Sequence, residues 1–170
     1  AMVEDTHFNL NIMSWMDVGW KLIVVNLSDI AAMGATPLCL TVTLGLPPSQ
    51  PIKDVDELYD GILEACKNYR TLVVGGDIVS SPTVFLSVTL YGVAKDKPLT
   101  RTDAQPGDAI ALTGPLGSAA CGLELLNSTD SISGVASISL AEAHRRPKPR
   151  LQEGQKLLQD GIRCAIDISD

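Results

Sequence analysis

Cysteine is scarce and scattered. Cys39, Cys66, Cys121 and Cys164 show no CxxC and no Cys/His ligand spacing, which excludes a zinc ribbon or a disulfide framework. They read as reduced, mostly buried thiols. Aromatic residues make up only 4% of the chain, and the formal net charge is -7. Neither stacking platforms nor phosphate-neutralising cations are abundant enough for a nucleic-acid partner, and an anionic membrane surface is disfavoured for the same reason. No run of about 18 apolar residues occurs, and the first residues lack the basic start and apolar stretch of a secretory signal. The cytosol, and a cytoplasmic protein, is therefore the default. There is also no GxxxxGKS/T and no GxGxxG after a strand, so a P-loop or Rossmann site is unsupported in this stretch.

A hydrophobic content of 45% over 170 residues is enough to bury a core, in one domain or one domain plus part of another. The chain opens on Ala1 and stops at Asp170, directly after an apolar run and an acidic cluster. Both ends are therefore read as cut.

Ser14 with Asp17 three residues on forms a capping-box variant, and Gly34 suits the position after a helix end. Val18, Leu22, Val25, Ile30 and Met33 give the apolar face between them, which predicts a helix over 15–33. Leu38 to Leu46 alternate as a half-buried strand that Pro47 and Pro48 end. Asp54 with Glu57 reads as a second capping box, opening a helix over 54–69. A short strand over 71–74 is expected to break at Gly75, Gly76 and Asp77, and another strand covers 84–93. Charge, proline and glycine over 97–107 mark a linker. It divides an N-terminal domain, 1–96, from the beginning of a second, 108–170. The second half is expected to hold a strand at 109–113, a helix at 118–126 and a polar loop at 127–133. A short helix ending near 143, a helix at 151–160 and a strand at 164–168 follow.

The chemistry is carried by carboxylates at the ends of apolar elements. Asp29 interrupts the first helix, Asp77 follows two glycines, and Asp167 and Asp170 flank Ser169. Taken singly each suits a cap or an ion pair. Taken together, hard oxygen ligands on converging elements suit Mg²⁺, because a lone desolvated charge costs several kcal/mol. The segment 114–117 reads most simply as a tight turn between strand and helix, and the basic run 144–150 as a solvated loop.

The segments 3–8 (VEDTHF), 17–21 (DVGWK), 25–37 (VNLSDIAAMGATP), 74–77 (VGGD), Arg101 with 106–108 (PGD), 113–117 (TGPLG), 144–150 (HRRPKPR) and 165–170 (AIDISD) occur in that order. This pattern resembles the thiamine-monophosphate kinase family, within the superfamily of aminoimidazole ribonucleotide synthetase, selenophosphate synthetase and a hydrogenase maturation factor. The resemblance implies an α/β (α+β) enzyme whose ferredoxin-like, mixed-sheet N-terminal half dimerises and is followed by the start of a second α/β domain. It implies a homodimer that binds ATP and several Mg²⁺ ions near the subunit interface and phosphorylates thiamine monophosphate by direct in-line transfer.

Carried over residue by residue, Asp29, Asp77, Asp167 and Asp170 would be metal ligands. Tyr59, Gly76, Asp77, Arg101 and Ser169 would line ATP, and His7 would touch the phosphorylated substrate. The family's acidic motif before the first residue and its thiamine-holding C-terminal groups have no counterpart here, so this stretch alone is expected not to turn over. Two other readings stay open: another ATP-using enzyme of the superfamily, and a non-catalytic scaffold.

Overall fold

The computed structural model describes residues 1–128 and 133–168. Helix α1 spans Trp15–Ala32, and its N-terminus is the capping box read from sequence. The Ser14 hydroxyl accepts from the Asp17 amide at 3.1 Å and donates to the Asp17 carboxylate at 2.8 Å. Gly34, at φ +67°, lies just past its end, where a side chain would strain the backbone.

Helix α2 spans Ile52–Tyr69 and starts before the expected Asp54. Its N-cap is Pro51, without a side-chain cap, and the Asp54 carboxylate instead accepts from Gln50 Nε2 at 2.7 Å. The second capping box is thus absent. The proline's fixed φ already sets the entry, and Asp54 sits inside the first turn, where the helix dipole favours it.

Four strands form one sheet in the order β1-β4-β2-β3. They are β1 (Met2–Val3), β2 (Thr36–Leu46), β3 (Leu72–Ser80) and β4 (Phe85–Val93). The β2–β3 pair is parallel and the other two pairs are antiparallel, so the sheet is mixed. Strand β3 does not break at the glycines as expected. It runs through them, absorbing one extra residue where Val73 pairs Leu40 and Gly75 pairs Thr41, a bulge. Gly76 is required there because a Cβ would collide with the Val42 carbonyl.

Leu40, Val42 and Leu44 of β2 are buried against α1 and α2 together with Leu22, Ile23, Leu27, Leu58 and Ile62. The two helices cross at glycines: a Cβ on Gly19 would strike the Leu58 carbonyl, and one on Gly61 the Met16 carbonyl. The opposite sheet face carries Cys39, Thr41 and Thr43, whose cross-strand partners include Asp77 and Tyr91. Asp77 and Tyr91 are exposed.

The second half is more thinly packed. Helices α3 (Ser118–Asn127) and α4 (Val135–Arg145) pack on each other with Gly122 against the Leu140 carbonyl. Helix α5 (Leu151–Gln159) seats Gly154 on the Ala31 carbonyl of α1. The strand expected at 109–113 does not form. Ile110 is 96% exposed and no neighbouring strand pairs with it among the described residues, so an apolar run alone has nothing to bond to. The strand expected at 164–168 reduces to one parallel bridge, Thr100 with Cys164. The polar loop at 127–133 lies partly outside the described residues, and so do Ser169 and Asp170. All four cysteines are free, but only Cys66 is buried and Cys121 is exposed, so the expectation of mostly buried thiols does not hold.

The glycine crossing generates a prediction. In an exposed helix Gly→Ala gains about 1 kcal/mol of propensity. At Gly61 the added methyl meets a backbone carbonyl that cannot rotate away, and overpacking costs about 1–3 kcal/mol. Gly61→Ala is therefore expected to lower the urea midpoint, and an unchanged or higher midpoint would contradict this packing.

Candidate functional site

Two carboxylates far apart in sequence are brought together. Asp167 is held on α1 by the Ser28 hydroxyl, which donates to its Oδ1 across 139 residues of chain. Asp29, the next residue on the helix, has its carboxyl pushed above the ordinary carboxylate value, first by burial and then by the Asp167 charge, with the Ala1 ammonium pulling the other way. Arg101 joins this neighbourhood. It is exposed on the turn after Thr100, and Thr100 is laced to the strand-like segment carrying Asp167. The Thr100 amide donates to the Arg163 carbonyl at 3.0 Å, and the Ala165 amide donates to the Thr100 carbonyl at 3.3 Å.

Asp77 stands elsewhere. It is exposed on β3, its Oδ1 accepting from the Ile78 amide at 2.9 Å. Across the sheet, Met2, Leu86, Leu44 and Ile78 form one row of paired residues. At about 4.8 Å per strand, β1 and β3 are about 14 Å apart. Asp29 feels the Ala1 ammonium beside β1, whereas Asp77 is on the far edge. Among the described residues no three His, Cys, Asp or Glu side chains gather closely enough to hold a metal alone. Tyr59 is half-buried on α2, packed against the core, and Gly76 lies beside Asp77 in β3.

His7 is exposed and lines a pocket of about 120 Å³ with Asp5, Thr6, Asn9 and, from α4, His144. The basic run that begins at His144 is not the solvated loop expected. Arg145 Nε donates to the Ile12 carbonyl at 2.7 Å. Arg146 pairs with Asp17 at 3.5 Å and Glu64 at 2.5 Å, and its guanidinium lies 4.4 Å from the centre of the Trp20 ring. The Trp20 indole N–H donates to the Pro147 carbonyl at 3.2 Å. No spacing in the sequence signals these partners, because every one of them sits on another element.

A family model described as AIR synthase related protein, N-terminal domain, matches residues 1–94. The chain belongs to this family. It is 37% identical to the thiamine-monophosphate kinase of Bacillus subtilis (strain 168), a match covering 100% of this chain and 54% of that protein. Among solved structures it superposes on the thiamine monophosphate kinase of Aquifex aeolicus with a TM-score of 0.84 at 33% identity, covering 92% of this chain and 52% of the other. It also superposes on AaThiL complexed with AMPPCP and TMP, with a TM-score of 0.85 at 33% identity, over 92% and 50%. The chain thus spans about half the length of the curated relatives it matches. This chain's mixed α/β fold is shared with these kinases over about half of their length.

His144 generates a pH prediction. Burial, then Lys21 and Arg145, hold its pKa below the ordinary 6.5, partly offset by a hydrogen bond to the Ala119 backbone. The unfolded chain therefore binds this proton more readily than the folded one. Stability falls as pH drops from 6.5 through the lowered value. His144→Gln is expected to lose less stability than the parent between neutral pH and pH 5 in urea titrations. Parallel pH profiles would contradict the shift.

Proposed function

We propose that this chain supplies the nucleotide- and metal-handling part of a thiamine-monophosphate kinase: a terminal phosphate oxygen of thiamine monophosphate attacks the γ-phosphorus of ATP in line, and ADP leaves. The Asp29–Asp167 pair carries this reading. Two carboxylates that feel each other's charge, one of them held by Ser28 next to the other, are a donor set that a divalent cation would relieve. Magnesium ordinarily takes one or two protein carboxylates and completes its shell with water and substrate phosphates, so a pair without a third protein ligand fits it. When bound, Mg²⁺ neutralises charge on the phosphates.

In this reading Asp29, Asp167 and Asp170 hold the metals and Arg101 reaches an ATP phosphate from the laced turn. Ser169, Tyr59 and Gly76 line the nucleotide, and His7 receives the phosphorylated acceptor. The acceptor oxygen is already ionised near neutral pH, so positioning and charge neutralisation do the work and no strong general base is required.

Asp77 joins the same nucleotide through a homodimer. Among the described residues one face of the sheet is open, and β3 has a neighbour on one side only. A second copy against that face brings a β3 edge towards the partner's Asp29 side. The boundary at 97–107 separates this dimerising part from the second domain. A cytoplasmic setting suits these substrates, and no helix among the described residues is long and apolar enough to cross a membrane.

The test is an assay of the intact gene product with thiamine monophosphate against aminoimidazole precursors. Thiamine diphosphate is the expected product. Asp29→Asn and Asp77→Ala are each expected to lower turnover about a hundredfold or more with the fold retained by circular dichroism. Near-normal turnover in either variant would contradict the metal assignment. Absence of Mg-ATP binding by calorimetry would instead leave a scaffold.

A further inference from the structure

The chain has two histidines, and they line the same pocket although one precedes α1 and the other ends α4. His7 Nδ1 accepts from the Val3 amide at 3.2 Å. In the neutral ring that places the proton on Nε2, leaving it as a donor for a ligand. Thr6 and Asn9 add a hydroxyl and an amide to the same lining. The Arg145 bond to the Ile12 carbonyl ties the loop that carries His7 to the helix that carries His144.

Two cations stand behind His144, outside the pocket lining. In a chain of net charge -7, the groups acting on His144 are the cations Lys21 from α1 and Arg145 from α4. The one carboxylate in the lining is Asp5, whose Oδ1 accepts from Asn9 Nδ2 at 3.4 Å. Helix α3 contributes Leu123 to the wall and the Ala119 backbone to His144, and no ionisable group to the lining. With Asp5 engaged by Asn9, the His7 Nε2 donor, the Thr6 hydroxyl and the cations behind His144 suit an anion. Its volume of about 120 Å³ is well below the roughly 300–1,000 Å³ that holds a whole drug-sized ligand. It admits the head of a ligand and leaves the body outside.

We propose that His144 is a second acceptor-binding residue, which together with His7 grips the phosphoryl group of the phosphorylated acceptor and so distinguishes a phosphate monoester from the free alcohol. The proposal rests on the kinase reading for the identity of the acceptor, and the two histidines that define the pocket both lie in this chain. In the absence of ligand, burial and the two neighbouring cations disfavour the imidazolium. An arriving phosphate dianion reverses that balance, and His144 takes up a proton from solvent to pair with it.

The test is imidazole nitrogen NMR of the intact gene product, with the two rings assigned by comparison with His7→Gln and His144→Gln. It is titrated with inorganic phosphate, with thiamine monophosphate and with unphosphorylated thiamine, and Mg-ATP binding is measured separately by calorimetry. Both rings are expected to respond along one saturation curve to the two phosphates and not to thiamine, with His144 moving towards the imidazolium. His144→Gln is expected to weaken phosphate binding about tenfold or more, while the ligand-free His7 signal and Mg-ATP affinity stay as in the parent. If the Gln variant fails to fold, the parent titration decides. A response from His7 alone, from neither ring, or equally to thiamine overturns the proposal. Loss of Mg-ATP binding with the paired histidine response intact would remove the kinase reading and leave the phosphate site standing.

Discussion

The last third of the chain buries little apolar surface of its own, with Ala141 and Leu158 its only core members among the described residues. What places it is docking on α1. Arg146 inserts between α1 and α2, using its charge on Asp17 and Glu64 and its flat face on Trp20. Gly154 lets α5 approach to backbone contact, and Ser28 holds Asp167. Arginine suits this clamp because one planar group can stack and pair at once. A desolvated cation–π contact contributes about 2 kcal/mol, whereas an exposed pair such as Lys53 with Glu57 is worth between about 0 and 1 kcal/mol.

The same helix therefore does two jobs. Its buried stripe of Val18, Leu22, Ile23, Leu27 and Ile30 fixes it on the sheet, and its outer side receives residues from the far end of the sequence. A site assembled this way works against folding, because burial first and then the Asp167 charge disfavour the ionised Asp29 carboxyl. Strain of this kind persists only where surrounding packing over-determines it. The glycine crossing of α1 with α2, the Arg146 clamp and the α5 seat provide that packing. The phosphate-sized pocket depends on the same arrangement, since it joins the loop before α1 to the end of α4.

Elements whose signals are local were legible in the sequence. The Ser14 cap, the Gly34 stop, the period-2 run of β2 and the amphipathic face of α2 can all be read without knowing any neighbour. Features that depend on a partner were not. The apolar segment 109–113 reads as a strand, yet among the described residues no strand lies beside it. Gly75 and Gly76 suggested a break, but β2 supplies a carbonyl close enough to require glycine and keep the strand going. The basic run 144–150 looked solvated because Asp17, Glu64, Trp20 and Ile12, which hold it, lie on other elements. Asp29 and Asp167 were recognisable as candidates from their unusual positions in apolar segments, but their proximity depends on α1 and the Thr100 bridge. The convergence of His7 and His144 had no sequence signal beyond the rarity of histidine.

The central claim is that Asp29 and Asp167 share a divalent ion with the phosphates of ATP. Crystals of the intact protein grown with Mn²⁺ and a non-hydrolysable ATP analogue test it directly, because manganese is located by its anomalous scattering. The account predicts a manganese peak within ligating distance of both carboxylates and of a phosphate oxygen. Nucleotide density with every manganese peak remote from Asp29 and Asp167 would contradict it.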